Sequence, residues 1–290
     1  MSTFRKAVPE PLRRAGRDAY VSIGKVTPTH RVEPDFIMIG AQRCGTTSLF
    51  RALMEHPQVV RPTFHKGVNY FDLNYYRGRN WYRGHFPLAE AAHWRTRRAG
   101  RPVVFEASGY YLYHPFAIER IARSLPSVKL VVMLRDPVER AYSAYQHERA
   151  RGFEWEEFET ALALEGDRLI GEVERMRRDP GYESFSHRHH SYLHRGHYAE
   201  QLEAVFESFP VDQVHVMQSE AFFDDPATQF DSLVSFLGLS PAHHIRFEHY
   251  NAAPRAPMSE ATRRALTDYY LRHDEALAHL LGADLRWTST

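Results

Sequence analysis

Asp35-Phe36-Ile37-Met38-Ile39-Gly40-Ala41-Gln42-Arg43-Cys44-Gly45-Thr46-Thr47-Ser48-Leu49 is the stretch that decides the fold. Its first part, Asp35 to Gly40, is an apolar run of strand length closed by a glycine, which reads as a buried strand. Thr46 to Glu55 then reads as the helix that follows. Gly40 and Gly45 between them keep the G-x-x-x-x-G spacing of a phosphate loop. In such a loop, backbone N–H groups and a helix N-terminus cradle an anion. Thr46 stands where a nucleotidase has the lysine that bridges its β- and γ-phosphates. The loop is therefore suited to phosphate but not to a triphosphate, and it carries its own cation at Arg43.

Outward from this loop the chain alternates strand and helix. Val103 to Glu106 reads as a short strand before a helix over Pro115 to Arg123. Val128 to Leu134 is the best central strand, followed by a helix from Pro137 to Ala150. Gln213 to Met217 and Pro226 to Leu237 make the next pair, and Ser259 caps a last helix running to Leu281. This alternation predicts an α/β fold: a P-loop-containing three-layer α/β/α domain around a central parallel sheet. Residues 151–195, rich in Glu and Arg with a helix expected over Glu157 to Arg177, read as an insertion near an acceptor site.

A second anion-binding turn closes the best strand: Leu134-Arg135-Asp136-Pro137-Val138-Glu139-Arg140-Ala141-Tyr142-Ser143. Arg135 at a strand C-terminus points into the crevice where open α/β sheets hold ligands. Ser143, two helical turns on, is spaced to help it hold one further phosphate. Asp136 and Pro137 form an N-cap and first-turn pair.

Composition narrows the function. The 290 residues are 43% hydrophobic with a formal net charge of +1, which suits a globular domain and does not suggest a nucleic-acid binder. The single cysteine, Cys44, excludes a disulfide framework and predicts a reduced, cytoplasmic setting. No apolar run is long enough for a transmembrane segment, and no leader is expected at MSTFRKAVPE. Residues 1–33 are expected to be a basic N-terminal arm, with the domain over 34–290. Residues 1–31 hold seven Lys or Arg against two acids, and the arm reads as a solvated surface strap or an electrostatic guide.

With both phosphate turns in place, the chain resembles the PAPS-dependent sulfotransferases (PAPS is 3′-phosphoadenosine 5′-phosphosulfate), nearest to the heparan-sulfate-sulfotransferase-like branch and its soluble bacterial relatives. PDFIMIGAQRCGTTSL is similar to that family's 5′-phosphosulfate loop and VVMLRDPVERAYSAY to its 3′-phosphate segment. HKGVNYFD (65–72), FEASGYYL (105–112), RGHYAEQL (195–202) and SFLGL (235–239) match further, as does NAAPRAPMSEATRRAL near the end. The resemblance implies transfer of a sulfuryl group from PAPS, with adenosine 3′,5′-bisphosphate as product and no metal. The acceptor would be a hydroxyl or amine on a carbohydrate, lipid or natural product. It implies donor binding by Gln42, Arg43, Cys44, Gly45, Thr46, Thr47 and Ser48 around the 5′-phosphosulfate. Arg135 and Ser143 would bind the 3′-phosphate, Tyr198 would also belong to the donor site, and Arg255 would reach over from the C-terminal loop.

Two departures from the family pattern follow. Arg43 stands in place of the usual catalytic lysine; it keeps the charge but cannot give up a proton. More seriously, Gly67 replaces the carboxylate that heparan-type relatives place after the lysine equivalent to Lys66, and Asn69 replaces their histidine. The proton acceptor must then lie elsewhere. Glu106, near the end of VVFEAS, is the first choice, with ordering of Arg135 or the phosphate loop as its other possible use. His65 is second and His114 third, while Lys66 is expected to be an extra cation over the sulfuryl oxygens. His187, His189, His190, His194 and His197 lack a clear ligand pattern, so no metal site is expected. Tyr75, Tyr76, Tyr110 and Tyr111 read as core, with an aromatic wall for the acceptor as the other possibility. The rivals to this reading are a P-loop kinase and a non-catalytic sulfonucleotide-binding module.

Overall fold

The structure is a computed structural model that describes residues 10–63, 66–242, 245–248 and 257–288. Five strands among these residues form one parallel sheet: β1 (Phe36–Gly40), β2 (Val59–Val60), β3 (Val103–Ala107), β4 (Lys129–Leu134) and β5 (Val214–Gln218), in the order β2-β3-β1-β4-β5. All the links are parallel because helices cross back between successive strands. β1 and β3 are buried at every residue and β4 at all but its first. Both faces of the sheet are thus covered, which is why these strands read as continuous apolar runs rather than alternating ones.

The expected elements recur close to their expected bounds. The helices Thr46–Glu55, Pro137–Ala150 and Pro226–Leu237 fall on them, and Ser259 caps the helix Glu260–Leu281 through a bond from the Thr262 N–H. The chain leaves β1 for β2 at one edge and later crosses from β3 to β4 on the other side of β1. The carboxyl end of β1 therefore sits at the reversal of winding, where open α/β sheets open a crevice. The loop at 40–45 lies there.

Two regions differ from the expectation. The first 33 residues hold more than a strap: Glu10–Val26 is a helix packed on the sheet domain. It crosses the helix Arg79–Arg83 at two glycines, so closely that a side chain begun at Gly24 would meet the Gly84 α-carbon at 2.4 Å. Val21 is buried, Thr63 donates a hydrogen bond to the Tyr20 hydroxyl at 3.2 Å, and Arg31 lies over the Tyr20 ring. An amphipathic segment finds a partner even when its sequence neighbours are basic.

The single helix expected over 157–177 is two, Phe158–Leu169 and Glu172–Arg178, broken at Gly171, whose φ is 74°. The insertion also has a core of its own. Phe158, Ala161 and Tyr192 pack with Val138, Ala141 and Tyr145 of the 137–150 helix and with Leu266 and Tyr270 of the last helix. Buried Glu165 ties down the return, accepting the N–H groups of Tyr192, Leu193 and His194 at 2.6–2.9 Å. That segment is braced wall rather than a free flap.

Candidate active site

The loop after β1 turns into the helix Thr46–Glu55, whose first N–H groups have no acceptor within the helix and face the crevice. The side chain of Arg43 crosses to the second turn: its Nε donates to Ser143 Oγ at 3.0 Å. Arg135 closes the same junction from below, with Nη1 3.4 Å from the Arg43 carbonyl oxygen. Its guanidinium also lies 3.5 Å from Glu139, which in turn pairs with Arg263 of the last helix at 2.6 Å. Residues a hundred positions apart thus meet at one spot, two of them arginines.

Other expected donor residues have divided tasks. Cys44 is fully buried and turns its thiol inward to the Tyr198 hydroxyl at 3.6 Å; burial pushes that thiol up to about 11. The Cys44 sulfur is therefore committed to the core. Tyr198 is likewise buried, and its hydroxyl donates to the Arg135 carbonyl at 2.9 Å, so it links the two turns rather than lining the crevice. Gln42 is held by Arg195, a residue absent from the expected set. Buried Arg195 donates to Gln42 Oε1 and to the carbonyls of His187 and Arg188, and packs its guanidinium between the Tyr110 and Tyr113 rings. It lies inside RGHYAEQL, so its segment was visible in the sequence; its reach across 153 residues to Gln42 was not. Thr46 and Thr47 are half-buried at the helix start, and Ser48 is buried beneath them. His65 and Arg255 lie outside the described residues.

Lys66 approaches from the other side. Its Nζ donates to Thr46 Oγ1 at 3.4 Å, and its ammonium lies over the Phe50 ring. Burial pulls the ammonium down to about 8, since no charge repays the lost hydration. An anion in the loop would supply that charge.

Glu106 is put to a different use from the expected one. It is 0% exposed, and both carboxylate oxygens are taken: Oε2 by the Val68 N–H at 2.8 Å, Oε1 by the hydroxyls of Tyr82 and Tyr111 at 3.0 and 3.1 Å. Burial raises it to about 7, and those three bonds oppose the rise. Its partners are core groups, and what it holds is the segment 66–70. His114 is likewise committed: its Nδ1 accepts the Phe116 N–H at 3.2 Å ahead of the helix Ala117–Ser124, and burial drives the ring down to about 3.

The histidines at 187–197 resolve into separate jobs. His187 Nδ1 meets the Tyr110 hydroxyl at 2.8 Å, His189 meets Glu148 at 2.9 Å and His194 meets Glu165 at 2.8 Å. His197, Glu200 and His273 do gather into a possible ligand set. However, the two imidazoles stack face to face, 3.8 Å apart and 8° from parallel. A cation between them would sit far out of both ring planes, so this is a stacked pair rather than a coordination site. Of the tyrosines, Tyr111 is core, while Tyr76 is 60% exposed.

Beside the segment 67–69 lies a cavity of about 620 Å³. The N-terminal helix supplies one wall with Arg17 and Lys25; Asn69, Asn74, Arg77 and Trp81 supply the other.

A phosphate loop without its lysine, an arginine at the end of the neighbouring strand β4, and a cross-link between the two thus lie together in an α/β domain. The sulfotransferase domain model matches residues 33–273, and the chain belongs to that family. It is 27% identical to the membrane-associated sulfotransferase kil1 of Dictyostelium discoideum, over 88% of this chain and 66% of that protein. It is also 27% identical to the human bifunctional heparan sulfate N-deacetylase/N-sulfotransferase 3, over 86% of this chain and 30% of that protein. The chain thus spans about a third of the length of that second relative. Among solved structures, a sulfotransferase from Alicyclobacillus acidocaldarius superposes with a TM-score of 0.65 at 28% identity, covering 88% of this chain and 98% of that one. No helix among the described residues is long and apolar enough to cross a membrane.

Proposed function

We propose that this chain moves a sulfuryl group from PAPS to a hydroxyl or amine of a polar acceptor by in-line transfer. The observation that carries the reading is the Arg43–Ser143 contact, which joins the two phosphate turns into one clamp. When bound, PAPS supplies the sulfuryl group and a 5′-phosphate leaving group. The N–H groups opening the helix Thr46–Glu55 hold the 5′ end. Arg135 and Ser143 hold the 3′-phosphate, with Arg263 behind them through Glu139. Arg43 and Lys66 gather the charge that develops as the bond to sulfur breaks; the leaving phosphate needs neutralisation more than protonation. These side-chain cations take the place of a metal in this reading, and the lone cysteine goes with a cytoplasmic setting.

The acceptor enters, on this reading, from the cavity beside Gly67 to Asn69. Its lining sets Arg17, Lys25 and Arg77 against one acid, Asp18, and adds Trp81, which suits a polar or anionic molecule such as a carbohydrate, with an aromatic face for a ring. Glu106 supports the reaction at one remove, by holding Val68 and so the Lys66 segment. The test is an acceptor screen read by mass spectrometry for the gain of one SO₃, in parallel with the Arg43→Ala protein. A gain that Arg43→Ala abolishes supports the reading. A wild-type protein that binds donor and sulfates nothing points instead to a silent binding module.

A further inference from the structure

Position 67 explains why the usual carboxylate is missing. A side chain begun at Gly67 would meet the Ala107 carbonyl oxygen at 2.0 Å and its carbon at 2.8 Å. The backbone of 66–69 has been laid flat on the end of β3, pinned by the bond from the Ala107 N–H to the Lys66 carbonyl and by Glu106 on Val68. The next residue on that strand end is Ser108, whose N–H is 3.5 Å from the same point. Its hydroxyl donates to Asp72 Oδ2 at 3.0 Å.

Asp72 contrasts with Glu106 in its partners. Oδ2 is shared by Ser108 and by the Asn69 amide, at 3.1 Å, and Oδ1 accepts the Leu73 N–H at 2.6 Å. Asn69 also lines the 620 Å³ cavity. Glu106 is sealed by core groups; Asp72 is buried but held by two small polar side chains, and the Ser108 oxygen also accepts the Tyr110 N–H at 3.4 Å. Arg188 of the insertion favours its charge, Glu106 on β3 opposes it, and Arg120 binds the carbonyls of Phe71 and Asp72 from the helix Ala117–Ser124. Burial outweighs these and lifts the carboxyl to about 6, high for an aspartate and still ionised at neutral pH.

We propose that Ser108 takes the acceptor's proton while passing its own to Asp72, and that this pair replaces the carboxylate lost at Gly67. This rests on the sulfuryl-transfer reading. The acceptor oxygen or nitrogen forms its bond to sulfur as the bond from sulfur to the 5′-phosphate oxygen breaks, and that electron pair leaves with the phosphate. One proton moves from the acceptor to Ser108 Oγ and one from Ser108 Oγ to Asp72 Oδ2, which ends neutral. Ser108 is the group in contact with substrate; Asp72 acts through it.

The experiment uses water as the acceptor, so that no natural acceptor need be known. Hydrolysis of PAPS to adenosine 3′,5′-bisphosphate and sulfate is followed chromatographically in single turnovers with enzyme in excess, from pH 5 to 8. Calorimetry with the bisphosphate runs alongside. The wild-type rate should rise with pH through about 6. Asp72→Asn should lose about 10²–10³-fold in rate and the pH-dependent rise with it, and Ser108→Ala should lose at least about tenfold. Both should bind the bisphosphate as the parent does. Either variant that binds normally yet keeps the parent's rate and pH profile overturns the relay. If Asp72→Asn does not fold, Ser108→Ala decides alone. A wild-type protein that does not bind the bisphosphate overturns the sulfuryl-transfer reading itself.

Discussion

The two sides of the crevice are made of different materials. The donor side is built from backbone N–H groups and arginines, whose charge is fixed at any ordinary pH: Arg43, Arg135 and, one step back, Arg263 and Arg195. The opposite side is backed by buried groups whose charge depends on pH: Lys66 near 8, Asp72 near 6 and, in the core behind them, Glu106 near 7. A site that must hold two phosphate groups gains from permanent cations. A site that must accept a proton gains from groups that titrate close to neutrality. The same crevice thus carries a rigid electrostatic half and an adjustable one.

That contrast can be broken most sharply at Arg43. Arg43→Ala removes a fixed cation from the leaving-group end and should lower turnover by about 10²–10³-fold, with weaker bisphosphate binding. Turnover within a few fold of the parent would mean that the donor side does not work by fixed charge. Next comes Glu106→Ala, which strands the hydroxyls of Tyr82 and Tyr111 and the Val68 N–H in the core. Each stranded group costs about 1–3 kcal/mol, so equilibrium denaturation should show a loss of roughly 3 kcal/mol or more. Because burial raises Glu106, the folded protein holds its proton more tightly than the unfolded chain does. Its contribution to stability is full below about 4.5 and lost as pH rises through about 7, and Glu106→Gln should remove that slope.

Gly67→Glu restores the family's carboxylate in name only. With a backbone carbonyl 2.0 Å from its first side-chain atom, it should lower stability by about 1–3 kcal/mol and fail to raise turnover. A more active variant would show that the 66–69 backbone is free to lift. The smallest effect expected is at Lys66. Its folded pKa lies below the ordinary value, so the empty site favours the neutral amine above about 8, while a bound anion favours the charged form. Bisphosphate affinity should therefore fall as pH rises through about 8, by at most about tenfold per pH unit, and Lys66→Met should flatten that fall.

The two turns were legible in the sequence because each is local. Gly40 to Thr47 and Leu134 to Ser143 each carry strand, turn and helix start within one short run, and the structure joins them as their spacing suggests. The other side is made by packing between distant segments. That Gly67 lies on Ala107, that Glu106 faces Tyr82 rather than the crevice, and that Ser108 reaches Asp72 are facts of how β3 meets the loop before Tyr70. The docking of the N-terminal helix is hidden for a related reason: its charges are plain in sequence, but the Gly24–Gly84 crossing that holds it is not. Likewise Gly171 looked like one more position within a helix, and only its backbone angle shows it to be the break.

On the proposed reading the crevice holds a nucleotide with separated 5′ and 3′ phosphates by backbone N–H groups and side-chain cations, without a metal ion. Calorimetry in metal-free buffer with EDTA tests it most directly. Adenosine 3′,5′-bisphosphate should bind there, and ATP with Mg²⁺ in a parallel titration should not. Tight binding of ATP–Mg²⁺ with no binding of the bisphosphate would contradict it.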